Sequence, residues 1–215
     1  MAAETGIPVT VICVPGNHAR RSAKIDHEDP HDNFDYPVAT QVATRLQNEI
    51  TAGAVSVFIP RSWTAFADVR GYIWALNHGH AVRGFAGFPW YGFDRKAQRI
   101  QALAARTDAR ISYFGYGHYH TDTKTTSAGA KSYHNGAFYL TDPHSTEALS
   151  LGNTPQQNLY AVDDDYGVIL EIPIYVRDLT RETRLEERKL IPAFGRQLVT
   201  EETEPSIEGF QLISA

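Results

Sequence analysis

The stretch Val11–Ser22, VICVPGNHARRS, drives an apolar run into Pro15-Gly16-Asn17-His18 and then into cations at Arg20 and Arg21. Working back from it, IPVTVICV over residues 7–14 is short and β-branched, which predicts a buried strand stopped by Pro15-Gly16. Working forward, residues 15–33 are polar and carry Gly16 and Pro30, a long loop of the kind that is more often functional than idle. Asp35-Tyr36-Pro37 marks a helix start. Val38, Val42, Leu46 and Ile50 then recur every fourth residue and give that helix one apolar stripe.

Strand-like runs follow at residues 55–59, 63–69 and 72–76, the last leading straight into Asn77-His78-Gly79-His80. The aromatic loop VRGFAGFPWYGF precedes a second helix expected over about residues 94–106, with Ile100, Leu103 and Ala104 inward. RISYFGYGHYH reads as another strand ending in histidines, short strands surround KSYHNGAFYL, and two more lie at residues 158–162 and 168–176. Helices alternate with strands early and strands dominate later, so the expected class is α/β with a mixed sheet or a pair of sheets. Residues 1–176 form the expected domain, and residues 177–215 a tail of mixed charge, an exposed helix or an arm.

Composition bounds the rest. With 215 residues, 42% hydrophobic and 21% charged, the chain suits one ordinary domain with a small appendage. Cys13 is the single cysteine, which excludes an internal disulfide framework and points to a reducing, cytoplasmic compartment. No apolar run is long enough to span a membrane. A net charge of −5 provides no global field for nucleic acid, so a phosphate-bearing partner has to be held locally.

The informative pattern is one of position. Three apolar strands each end in a glycine-containing turn that bears imidazole: Gly16-Asn17-His18, His78-Gly79-His80 and Gly117-His118-Tyr119-His120. In open α/β sheets ligands lie beyond the carboxyl ends of strands, where such turns can converge. Neutral imidazoles and an amide oxygen suit Mn, Zn or Fe. In an extended segment Tyr119 would point away, leaving His118 and His120 on one side. Taken singly, His27, His31, His80, His134 and His144 read as surface or core histidines without a catalytic role.

In that order and spacing, PGNHAR, LNHGHA and GYGHYH resemble the calcineurin-like metallophosphoesterase superfamily, in particular its phage and prophage type. NHARRSAK before DNFDYPVA, and HNGAFYL after the last turn, add to the resemblance, which covers about residues 7–176. It implies an αββα sandwich and a metal-dependent phosphoester hydrolase whose complete site holds two divalent ions. On that resemblance Asn17, His78 and His118 are ligands of the second metal, His120 is a ligand of the first, and His18 assists the leaving group. Arg20, Arg21 and Lys24 would hold phosphate oxygens or simply form a solvated loop. The family's Asp-x-His and Gly-Asp-x-x-Asp segments are missing upstream of Gly16, where Glu4 is the sole acid.

The expectation is therefore a partial sandwich lacking its first strands and helices. It would bind at most one ion, be inactive or weakly active alone, and leave an apolar strand edge unpaired. A late start, a separate N-terminal segment supplying the carboxylates, or a degenerate binding or structural remnant would each account for the gap. The expected substrate is a phosphoester, with nucleic acid as the leading class. The aromatic loop at residues 85–93 either stacks bases or packs the domain, with packing the preferred reading.

Overall fold

The computed structural model describes residues 5–22, 29–83, 87–127, 129–138 and 155–176. Lys24, His27, His144 and the expected tail from residue 177 lie outside them. The residues that carry the fold fall into two groups.

The larger group is a five-stranded mixed sheet of β3 (Thr64–Val69), β4 (Tyr72–Asn77), β5 (Ile111–Tyr116), β6 (Thr123–Ser127) and β7 (Ala130–His134), in the order β3-β4-β5-β7-β6. β4, β5 and β7 run parallel at its centre, and the two outer strands are antiparallel. The β3–β4 connection is the two-residue turn Arg70-Gly71. Both residues have positive φ, 54° and 82°, the geometry that matches the right-handed twist of paired strands. The Asp68 carboxylate accepts from the Gly71 N–H at 2.8 Å and closes the turn.

Alternation along the strands gives this sheet two apolar faces. One carries Ala75, Ile111, Phe114 and Tyr116 and is covered by helix α3 (Trp90–Ala104) through Phe93 and Ala97, with Ile100 and Ala104 packed at the margin. The other carries Trp74, Tyr113 and Tyr133 and is covered by Tyr160, Val162 and Val168 of the β8 (Gln156–Asp163) and β9 (Gly167–Tyr175) hairpin. The result is a helix–sheet–sheet sandwich around the parallel strands.

Helix α3 spans Trp90–Ala104 and begins four residues before the expected start, because Pro89 sits at its N-cap and the aromatic run belongs to its first turn. Leu103, expected inward, is 59% exposed. The inward line is Phe93-Ala97-Ile100-Ala104, and Leu103 falls one position off it.

The smaller group is a parallel pair, β1 (Val9–Ile12) with β2 (Val55–Phe58), joined through helices α1 (Asp35–Arg45) and α2 (Gln47–Thr51). β1 is shorter than the expected strand and only partly covered. Ile7, Val9 and Phe58 are exposed, and among the described residues β1 pairs on one side alone. The apolar stripe of α1 is likewise uncovered: Val38 is 58% exposed, Val42 is open, and Ala39 is the one described residue of α1 that is buried. The overall class is mixed α/β with a central mixed sheet.

Candidate functional site

The three strand ends meet. Asn17 follows β1, His78 and His80 follow β4, and His118 and His120 follow β5. Asn17 is buried, and its Oδ1 lies 2.9 Å from His78 Nε2. The His78 ring stands 5.1 Å from that of His118 and 5.5 Å from that of His80, and His80 lies 6.3 Å from His118, centroid to centroid. His18 and His120 stand near enough for their charge to act on both His78 and His118.

Each turn is held by named contacts. The Gly16-Asn17-His18 turn is clamped from the start of α1. The Gly16 N–H donates to Asp35 Oδ2 at 2.7 Å, and the fully buried Asn33 donates its amide to the Gly16 carbonyl at 2.8 Å. Asn33 Oδ1 in turn accepts from the Asp35 N–H at 3.0 Å, so one side chain forms an Asx turn ahead of the helix and grips the glycine turn. A Cβ placed on Gly16 would stand 3.4 Å from both Asp35 Oδ2 and His78 Nε2, which puts this carboxylate at the margin of the imidazole cluster.

Asn77, buried at the end of β4, donates to the Trp63 carbonyl at 2.6 Å and to Thr64 Oγ1 at 2.9 Å, and accepts from the Gly79 N–H at 2.8 Å. Gly79 has φ 98°, and a Cβ there would lie 3.3 Å from the Gly117 carbonyl. Only glycine lets the His78 and His118 turns approach so closely. The Gly117 N–H then donates to the His78 carbonyl at 3.2 Å and ties the two turns together.

The His-x-His segment is not extended, as the alternation argument required. His118 and His120 both have positive φ, 73° and 51°. Side chains rarely adopt that region, at a cost of order 1–3 kcal/mol each, and such residues gather at functional sites. This left-handed turn carries both imidazoles, while Tyr119 packs against the core and donates its hydroxyl to the Val82 carbonyl at 2.6 Å.

Electrostatics follow from burial and crowding. Desolvation pulls His78 down to about 3, and the neighbouring imidazoles of His118, His80, His18 and His120 push the same way. Desolvation, with His80, His120 and His18 behind it, takes His118 to about 4. Both rings are neutral at ordinary pH, with lone pairs available to a Lewis acid.

Imidazole and amide oxygen are donor types that suit a borderline divalent ion, and Asn17 Oδ1 and His78 Nε2 are hydrogen-bonded to one another at 2.9 Å. Among the described residues, however, no group of three or more His, Cys, Asp or Glu side chains stands in a metal-holding arrangement. The imidazoles gathered here thus do not close on one point as they stand, and no carboxylate of the described residues joins them. Asp35 is engaged with the Gly16 N–H.

The two arginines have structural partners. Arg20 donates to the Asn17 carbonyl at 2.7 Å, and Arg21 approaches Asp32 at 3.5 Å on the surface. His80, read singly as a residue without a role, lies inside the cluster, 5.0 Å from the Trp63 ring. The signal for it was present, since it shares the strand-end turn with His78. His31 packs on Tyr36 at 4.0 Å. His134 is in the core among Phe93, Phe88 and Tyr116. Beside the cluster runs an open cleft of about 980 Å³ lined by Asn17, His18, His78, Val38, Val42 and Gln157.

No family model matches the chain and no curated relative does. Among solved structures, a zinc complex of wild-type Vps29 from Entamoeba histolytica is 16% identical, covers 80% of this chain and 98% of its own, and has a TM-score of 0.36. A double mutant of the same Vps29 is 17% identical over 80% and 85% of the two chains, at a TM-score of 0.39. A predicted phosphoesterase from Streptococcus pneumoniae is 10% identical over 65% and 90%, at 0.29. Likeness at that level carries no conclusion about activity.

Proposed function

We propose that this chain carries the imidazole portion of a divalent-metal phosphoester hydrolase site. The observation that carries the reading is the convergence of Asn17, His18, His78, His118 and His120 from three strand ends, with the two central rings held neutral. Asn17, His78, His118 and His120, joined by His80, would hold the ion. Such an ion lowers the pKa of a bound water and neutralises phosphoryl charge.

The chain's own residues do the rest. Asp35 and Asn33 aim the Gly16-Asn17-His18 turn, which fixes where the Asn17 amide points. His18 is exposed at the mouth of the cleft, placed to give a proton to a departing alkoxide or aryloxide. Arg20 uses one N–H on the Asn17 carbonyl, and the remaining donors of its guanidinium are of the type that grips phosphate oxygens. Carboxylates from a segment outside the described residues, on this chain or on a separate polypeptide, would complete a two-ion site.

The test is Mn²⁺-dependent hydrolysis of an aryl phosphodiester by the chain alone. Little or no turnover is expected, with any trace abolished in His18→Ala. Robust turnover lost in His18→Ala would show that these residues suffice without added carboxylates. Turnover indifferent to His18 and His78 would sink the assignment. The missing carboxylates also favour a second reading, a non-catalytic binding module descended from such an enzyme. It is distinguished by ion binding that never leads to hydrolysis, even when an acidic strand segment is supplied.

A further inference from the structure

On the far side of His80 the chain runs through Ala81 and Val82 into Arg83, which meets helix α3. The approach is close: a Cβ on Gly92 would lie 2.7 Å from the Arg83 carbonyl and from Val82 Cγ1. Arg83, Arg95, Lys96 and Arg99 thereby line one groove of about 400 Å³. Tyr91, Arg95 and Arg99 follow one another at four-residue spacing along the same stripe of α3. Tyr91 is 72% exposed, with the Arg95 guanidinium 5.7 Å from its ring centroid, and Trp90 stands 51% exposed at the first residue of the helix.

The sole acid of α3, Asp94, is turned elsewhere, accepting from the Ser127 hydroxyl and, at 2.9 Å, from Gln98. In a chain of net charge −5, four cations around one groove, three from α3 and Arg83 from the segment that meets it, are a local reversal of sign. The other aromatics of this region are used differently: Phe88 and Phe93 stack on one another at 5.3 Å and face the core.

From this arrangement we infer that the α3 groove binds single-stranded nucleic acid, its arginines and lysine on successive phosphates and Tyr91 under a base. Aromatic faces interleaved with cations at helical spacing suit that ligand, because every base offers a stackable face and every linkage a charge. Burial of the Lys96 stem, which holds its ammonium below the usual lysine range, gives that residue a further gain from a phosphate partner. A duplex is disfavoured, since its bases are not free to stack on Tyr91. The inference does not rest on the hydrolase reading, although Val82 and Tyr119 link the groove to the histidine turns.

The test is fluorescence anisotropy of a labelled oligothymidylate with the full chain in EDTA, so that neither metal nor hydrolysis enters. Binding is expected with a log–log salt slope near −3, four phosphates at about −0.7 each. Arg83→Gln/Arg95→Gln/Arg99→Gln, all exposed positions, should weaken binding roughly tenfold or more and flatten the slope. Tyr91→Ala should weaken it roughly five- to a hundredfold with the slope unchanged, and Tyr91→Phe should restore it. Absence of binding at low salt, indifference to these variants, equal affinity for a duplex, or equal affinity for phosphatidylserine vesicles would each overturn the inference. Any of these would leave the histidine site, tested by metal binding and hydrolysis, untouched.

Discussion

The five-stranded sheet and the β1–β2 pair come from one sequence and are packed very differently. In the first, Ala65, Ala75, Phe93, Ala97, Ile111 and Phe114 are all essentially removed from solvent. In the second, Ile7, Val9, Phe58, Val38 and Val42 stay open, although their pattern is that of core residues. The candidate site draws on both: four imidazoles from the well-packed strand ends, and Asn17 and His18 from the loosely covered one. Rigidity at His78 and His118 is therefore supplied by the core. Placement of Asn17 depends on a few hydrogen bonds from Asn33 and Asp35.

The largest effect should separate the two regions by stability. Phe114→Ala, at a fully buried position, is expected to lower the unfolding free energy by about 3–5 kcal/mol. Val38→Ala, on the open stripe of α1, should change it by less than about 0.5 kcal/mol. Denaturant melts of both variants check this, and a large loss at Val38 would mean that the α1 stripe is covered after all.

Next comes acid sensitivity, which belongs to the well-packed region. His134 is enclosed by aromatic rings with neither ring nitrogen hydrogen-bonded, and burial takes it down to about 4 from 6.5. Above pH 6.5 neither folded nor unfolded chain protonates this ring. As pH falls from 6.5 to 4 the unfolded chain takes up a proton that the folded one refuses, so stability drops, by roughly 3 kcal/mol for this one group. His134→Leu should flatten that part of the stability profile. An unchanged profile would show that His134 is not the source.

A smaller effect tests the clamp. Asp35→Asn keeps the shape while replacing the carboxylate that accepts from Gly16, and Asp35→Ala removes it. We expect losses of under about 1 kcal/mol and of about 1–2 kcal/mol respectively, with the affinity for a divalent ion reduced in the same order. Metal affinity untouched by Asp35→Ala would detach this residue from the site.

Much of the site was legible because its signal is local. A β-branched run ended by glycine and histidine states both a strand and what its end presents, so the turns bearing Asn17, His78, His118 and His120 stand out that way, whereas their assignment as metal ligands comes from the resemblance alone. Residues acting across the chain were not. Asp35 reads as an ordinary helix start, and its grip on Gly16 depends on a loop that folds back. His80 taken singly reads as a residue without a catalytic role, and joins the cluster because Gly79 adopts a conformation open to glycine alone. Periodicity told which residues of α1 are apolar without telling whether anything covers them. In α3, periodicity alone reads Leu103 as inward, whereas the packed line through Phe93 and Ala97 leaves it exposed.

The most direct test is histidine-selective nitrogen NMR of the full chain during a Zn²⁺ titration. The account predicts that the ring nitrogens of His78 and His118 shift together and saturate at one equivalent, while those of His134 and His31 stay where they are. If His78 and His118 do not respond, or titrate independently of one another, the strand ends do not form a shared metal site.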